Sequence, residues 1–190
     1  MTAFDAHYFY QNAWAAKHIF DVMPALHVDV GSDLSLIGTL SSAIPTVFVD
    51  IRPLSASLDQ LHRLSADGLH LPFPNASLSS ISCLHVAEHV GLGRYGDALD
   101  PYGTEKLCRE LERVLAAGGR LLLSVPIGRS RVCFNAHRVL APRQVIEYFP
   151  ELVLLEAAAV TDDAVFVAPA DLDGLANAGY ACGMYNFTRI

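Results

Sequence analysis

Several things are scarce in this chain of 190 residues, and each scarcity excludes something. No apolar run approaches the roughly 18 consecutive residues of a membrane-spanning helix, so no membrane role is expected. No basic-then-apolar leader opens the sequence, where Asp5 stands instead, so no export signal is expected. No C-x-x-C pair occurs. Cys83, Cys108, Cys133 and Cys182 are too far apart for a zinc knuckle or a dithiol redox motif. They are expected as reduced thiols, mostly buried, in a cytoplasmic protein. Charged residues make up only 17% and the formal net charge is −7, which argues against a general nucleic-acid binder. A G-x-G-x-x-G fingerprint is missing too, which weighs against a nicotinamide-dependent oxidoreductase.

What is present is apolar and evenly punctuated. Hydrophobic residues reach 52%, as expected when the strands of a parallel sheet are buried on both faces. One domain over 1–190 accounts for the length. Helical spacing over 5–23 places Phe9, Ala13, Ala16, Phe20 and Met23 on one stripe, and Pro24 stops that helix. Residues 26–31 read as a strand and Asp33–Ala43 as a helix. A second strand follows over Thr46–Asp50, introduced by Pro45 and ended by Pro53. A short helix is expected over 55–62, a third strand over Leu64–Asp67 and a fourth over Leu78–Leu84. A polar loop with four glycines and Pro101 then runs from Glu88 to about Gly103, a length that usually signals function. Thr104–Ala116 has a helical stripe of Leu107, Leu111, Val114 and Leu115, and Gly118-Gly119 provide a left-handed exit. Strands at Arg120–Val125, Leu152–Val160, Ala164–Val167 and Ala181–Thr188 complete the pattern, with a helix from Pro142 to 149. Alternating strands and helices predict an α/β fold, Rossmann-like, with a mostly parallel seven-stranded sheet, helices on both faces and an antiparallel C-terminal edge hairpin.

Ligands of such sheets bind beyond the carboxyl ends of the strands. Asp50, at the end of the second strand, is placed to accept hydrogen bonds from a ribose diol. Gly31 permits close backbone approach. Asp67 can accept from an exocyclic amine, while Leu69 and Ile51 can sandwich a ring. Asp29, Ser32 and Gly68 flank these positions and complete the candidate cofactor set. Asp50 and Asp67 could equally be solvated strand ends; it is the ordered set that favours a nucleoside.

The stretch Asp67-Gly-Leu-His-Leu-Pro-Phe-Pro-Asn75 and the stretch Leu111-Glu-Arg-Val-Leu-Ala-Ala-Gly-Gly-Arg-Leu-Leu-Leu-Ser-Val-Pro126 resemble the class I S-adenosylmethionine-dependent methyltransferases (type 11-like) over roughly 25–128. More narrowly, Glu88-His-Val-Gly-Leu-Gly-Arg-Tyr-Gly-Asp97 and Phe134-Asn-Ala-His-Arg138 look like signatures of an uncharacterised bacterial and nematode family on that fold. The polar loops after the fourth and fifth strands suit a small polar acceptor, such as a sugar or nucleotide-linked sugar, while the resemblance implies S-adenosylmethionine as cofactor and S-adenosylhomocysteine as product. It implies neither nucleic acid nor membrane as partner; a homodimer stays open. One departure stands out. The superfamily's first loop is acid-x-Gly-x-Gly-x-Gly, whereas here Asp29-Val-Gly31-Ser-Asp33-Leu-Ser35 keeps one glycine. Asp33 could cap the next helix, meet the cofactor's ammonium group, or fill the site in a decayed fold that now serves as a binding or scaffold protein.

Proton transfer to a base during methylation of oxygen or nitrogen directs attention to His89 and His137 as catalytic candidates. Glu88, Arg94, Tyr95, Asp97, Asn135 and Arg138 are the expected substrate-binding residues, the arginines suiting phosphate or carboxylate. Ion pairs that merely fix the loop are the competing reading for Glu88, Arg94 and Asp97. His85-Val-Ala-Glu88-His89 matches the H-x-x-E-H pattern of inverted zinc peptidases. The motif straddles a strand end and a glycine-rich loop, where i and i+4 do not share a helical face, so no metal is expected.

Overall fold

The computed structural model describes residues 2–52 and 54–190; the expected strand stop at Pro53 lies outside them. Ten strands and four helices follow in chain order: α1 (Ala6–Val22), β1 (His27–Val30), α2 (Leu34–Leu40), β2 (Thr46–Asp50), β3 (Leu61–Ser65), β4 (Leu78–Leu84), α3 (Gly103–Val114), β5 (Leu115–Ile127), β6 (Arg131–Cys133), β7 (His137–Val139), α4 (Pro142–Glu147), β8 (Leu152–Val160), β9 (Phe166–Val167) and β10 (Ala181–Arg189). Eight strands form one sheet in the order β3-β2-β1-β4-β5-β10-β8-β9. The first five in that order are parallel to one another, and β10 runs antiparallel between β5 and β8. The strand order reverses at β1, with β2 on one side and β4 on the other, and such switch points are where ligands of doubly wound sheets bind. β9 falls within the short strand expected over Ala164–Val167 and makes the sheet eight-stranded, where seven strands were expected. The separate β6–β7 hairpin was not anticipated.

The strands are buried on both faces because alternate side chains feed two cores. Leu121, Leu123, Val125 and Ile127 of β5 pack with Leu107 and Leu111 of α3 and Val145 of α4. Leu122 of the same strand, with Met184 and Cys182 of β10, packs with Trp14 and Ile19 of α1 and Ile37 and Leu40 of α2. The helices therefore cover both faces as expected.

Three local expectations need correction. The stripe assigned to α1 is its outer side: Phe9 and Met23 are exposed, and the buried side is Gln11, Trp14, Ala15 and Ile19. Two apolar stripes compete on this helix, and the indole Nε1–H of Trp14, 3.0 Å from Glu156 on β8, belongs to the one that docks. Residues 55–62 form no helix. Ser55, Ala56, Ser57 and Leu58 are exposed, and a segment this short cannot nucleate a helix without a packed face. The third strand accordingly begins earlier, with Leu61 buried and paired with Thr46, and Asp67 lies two residues past its end. Leu34 of α2 is exposed, and Leu36 joins Ile37 and Leu40 inside.

Candidate functional site

The carboxyl ends of β1, β2, β3 and β4 surround a cavity of about 420 Å³. Gly31, Ser32, Asp50, Ile51, Asp67, Gly68 and Leu69 line it, so the structure brings together the expected cofactor residues except one. Gly31 turns the chain out of β1 at φ +72°, and a Cβ there would meet the Val86 methyls at 3.2 and 3.3 Å. Both the backbone angle and the close approach favour glycine.

Asp29 is the exception. It is fully buried beneath the loop and does not reach the cavity. One carboxylate oxygen accepts the Ser32 N–H at 2.9 Å and the other accepts the Ser82 hydroxyl, while Ser32 Oγ accepts the Leu84 N–H at 3.0 Å. Asp29 thus holds the glycine turn in place from below. Burial, against the pull of these hydrogen bonds, pushes its carboxyl up to about 6. The network extends to His27, whose Nε2 lies 2.9 Å from Ser82 Oγ and Nδ1 2.8 Å from Ser80 Oγ. Because Ser82 gives its proton to Asp29, His27 donates from Nε2 and accepts at Nδ1, as a neutral ring. Burial lowers its pKa to about 4.

These two shifts oppose each other in one pH window. The raised Asp29 contributes stability that is full below its unfolded value near 4 and is lost as pH rises through 6. The lowered His27 contributes stability that is full above 6.5 and is lost as pH falls through 4. Each is worth about 3 kcal/mol, so together they leave little slope between pH 4 and 6.5. His27→Gln should expose the Asp29 component: denaturant unfolding of the variant should show stability rising toward pH 4 relative to its own value at pH 7. A variant whose profile tracks the parent across that window would remove this account.

Asp33 does not plug the cavity. It caps α2 by accepting the Leu36 N–H at 3.2 Å, and its Oδ2 accepts the Asn12 amide at 3.0 Å. The missing glycine at this position is explained by the cap. The expectation of a filled pocket does not hold.

Asp50 carries a partner that sequence reasoning missed. Arg52 Nε and Nη2 donate to its two oxygens at 2.9 and 2.7 Å, and the Arg52 N–H adds a third bond at 2.8 Å. Burial pulls the Asp50 pKa up, but these bonds outweigh it and hold the carboxyl below its usual range. The guanidinium also sits 4.9 Å over the ring of Tyr95. The only signal available was an arginine two residues after the key carboxylate. Asp67 is more exposed; its Oδ1 accepts the Leu69 N–H at 2.9 Å and so shapes the turn under the cavity.

His89, Tyr95 and Asp97 line the same cavity, joined by Tyr8, which was not singled out, and by His85, which entered only through the H-x-x-E-H match. Nδ1 of His89 lies 2.6 Å from the Ala136 carbonyl, so it carries the proton and Nε2 is left as an acceptor. Asp97 accepts backbone N–H groups of Gly91, Gly93 and Tyr95, which pull its pKa down against burial and order the glycine-rich loop. Five other expected site residues lie off the cavity lining. Arg138 is buried, and both its terminal nitrogens are committed to the protein, donating to the carbonyls of Val90, Asp100 and Pro101 and to Thr104 Oγ1. Glu88 is 1% exposed and faces His85 rather than the cavity. Arg94 and Asn135 are exposed outside the cavity lining, Arg94 donating to its neighbour Tyr95 and Asn135 in the turn of the β6–β7 hairpin. His137 also lies off the cavity, against Tyr180 at 5.0 Å, and burial lowers its pKa.

Solved structures share this fold. NodS, an N-methyltransferase of Bradyrhizobium japonicum WM9 in complex with S-adenosyl-L-homocysteine, superposes with a TM-score of 0.66 over 95% of this chain and 86% of its own, at 14% identity. The chain has the class I methyltransferase fold. The 1,6-didemethyltoxoflavin-N1-methyltransferase of Burkholderia thailandensis, with bound S-adenosylhomocysteine, matches at TM-score 0.63 and 13% identity, over 96% of this chain and 79% of its own. The [4+2]-cyclase SpnF matches as well, at TM-score 0.65 and 14% identity over 95% and 80%, so the fold by itself does not fix a reaction. The family described as Caenorhabditis protein of unknown function, DUF268, matches residues 75–149, which run from before β4 to just past α4. No curated protein matches the chain. Among the described residues no helix is long and apolar enough to cross a membrane.

Proposed function

We propose that the chain is an S-adenosylmethionine-dependent methyltransferase acting on a small polar acceptor, with a sugar or nucleotide-linked sugar as the favoured class. The observation that carries this reading is the convergence of Gly31, Asp50 and the Asp67-Gly68-Leu69 turn on one open cavity of about 420 Å³, within the size range of small-molecule sites. The lining suits the cofactor. A carboxylate stands at the end of β2 for a ribose diol, apolar Ile51 and Leu69 stand beside it for a ring, and a bare backbone turn follows β1. Bound there, the cofactor would supply an electrophilic methyl group. Asp50 would accept from the diol once Arg52 swings aside, and Asp67 from the exocyclic amine. His89, held by the Ala136 carbonyl with its Nε2 unprotonated, would take the acceptor's proton as the nucleophile attacks. Tyr8, Tyr95 and Asp97 offer hydrogen-bonding groups to that acceptor. The decayed-scaffold reading has no support from the loop, because Asp33 is turned into its helix cap.

Calorimetric titration of the full chain with S-adenosylhomocysteine should give saturable binding at one site per chain, and the ligand should raise the melting temperature. Neither heat nor thermal shift at millimolar ligand would refute the proposal.

A further inference from the structure

Beyond the rim cavity, the fold gathers a second set of reactive side chains that methyl transfer does not use. His7 comes from the first turn of α1, His85 from the residue after β4, and Cys182 from β10. One ligand atom from each lies within 4.8 Å of the others. We propose that His7, His85 and Cys182 form a binding site for a zinc-class divalent metal ion, with Glu88 as the positioning residue behind His85.

Geometry favours this over a chance cluster. Tetrahedral zinc holds nitrogen at about 2.0 Å and sulfur at about 2.3 Å, which sets ligand atoms about 3.5 Å apart. His85 Nε2 already lies 3.3 Å from Cys182 Sγ. His7 needs to close by only about an ångström. It is half-buried and stacks on Tyr180 at 5.4 Å, and its ring centroid lies 5.7 Å from that of His85. His85 sits at φ +54°, a left-handed angle unusual for a side-chain-bearing residue. The mix of imidazole and thiolate suits zinc or cobalt rather than calcium or magnesium.

Glu88 is the independent observation. Its carboxylate is 1% exposed, and neither oxygen has a hydrogen-bond donor in line. The nearest basic atom is His85 Nδ1, at 3.0 Å. With Nε2 on a metal, Nδ1–H would face that carboxylate, the arrangement in which an outer carboxylate fixes a ligating imidazole. A thiolate and a carboxylate also balance a dication, which an isolated buried carboxylate cannot do for itself. Three protein ligands leave one coordination position open, and His85 lines the rim cavity as well. The expectation of no metal drawn from H-x-x-E-H tested the wrong partners. His89 is engaged with Ala136, and the ligands that join His85 come from the two ends of the chain.

The test uses the full chain, free of any metal-binding tag, stripped with a chelator and titrated with cobalt(II). One cobalt per chain should bind with a thiolate-to-metal charge-transfer band that zinc bleaches. Cys182→Ala should abolish the band. His7→Gln, at a half-exposed position on α1, should weaken cobalt binding at least about tenfold, and Glu88→Gln by about 10- to 100-fold with the band retained. Binding below one equivalent, a band that survives Cys182→Ala, or unchanged affinity in His7→Gln would overturn the proposal. If Cys182→Ala does not fold, His7→Gln with a cooperative melt decides. Because the readouts are metal stoichiometry and a thiolate band, the result stands apart from whether the cavity binds S-adenosylhomocysteine.

Discussion

Arg138→Ala is expected to destabilise the protein by about 3–5 kcal/mol, the largest single-residue effect on stability proposed for this chain. The guanidinium is 7% exposed and touches no carboxylate. It is held by neutral acceptors instead: Val90 O at 2.5 Å, Thr104 Oγ1 at 3.1 Å, Asp100 O at 3.0 Å and Pro101 O at 3.5 Å. These acceptors come from both ends of the glycine-rich loop and from the start of α3. Truncation removes charge-assisted bonds worth about 1.5–3 kcal/mol each and leaves buried carbonyls without donors. Partial relaxation of the loop keeps the total below their sum. Asp97 orders the glycine turns, while Arg138 is the side chain that ties both ends of the loop to the start of α3. Gly91 and Gly103 approach the opposite arm of the loop so closely that a Cβ would fall 2.1 Å from Asp100 O and 2.5 Å from Val90 O. Arg138→Lys, a single point charge without the fork, should recover only part of the loss. Chemical denaturation of both variants checks this, and a loss under about 1 kcal/mol for the alanine variant would mean that the loop closes by other contacts.

The second large effect falls on ligand affinity. Asp50→Ala should weaken S-adenosylhomocysteine binding by about 10- to 100-fold, the equivalent of the 1.5–3 kcal/mol of hydrogen bonding to a charged acceptor. Arg52→Ala should act in the opposite direction. In the free protein Arg52 occupies both Asp50 oxygens, and a ligand diol must displace it. That pair is partly solvated, with 59% of the Arg52 side chain exposed, and is worth at most about 1 kcal/mol. Its removal should therefore tighten binding up to about fivefold. Opposite signs for neighbouring residues identify Asp50 as the diol acceptor and Arg52 as its competitor. A loss of affinity in both variants would instead make Arg52 a ligand contact. No change in either would move the nucleoside away from β2.

Much of this architecture was legible in the sequence. The apolar runs of β1, β2, β4 and β5 are largely buried on both faces, and such runs have one stable home, the interior of a parallel sheet. Gly31, Asp50 and the Asp67-Gly68-Leu69 turn were legible for the same reason: each ends or follows a strand, so each falls on one rim once the strands are parallel. Side-chain allegiance was not legible. Asp29 and Asp50 both stand at strand positions near that rim, yet Ser32 and Ser82 draw the first into the core while Arg52 holds the second at the surface. Arg138 read as a substrate contact because nothing nearby in the sequence announces the carbonyls of Val90, Asp100 and Pro101 that receive it, and Glu88 read likewise because its burial against His85 depends on the turn after β4.

Local pattern by itself determined the order of strands and helices, the single glycine turn and the rim on which a nucleoside can sit, because hydrophobic period and chain punctuation act over a few residues. Tertiary structure alone decided which face of α1 is inside, which loop residues are clamps rather than contacts, and the meeting of His7, His85 and Cys182. Those outcomes depend on which distant groups can satisfy a buried charge or fill a groove, and no local spacing encodes the position of a partner 97 residues away.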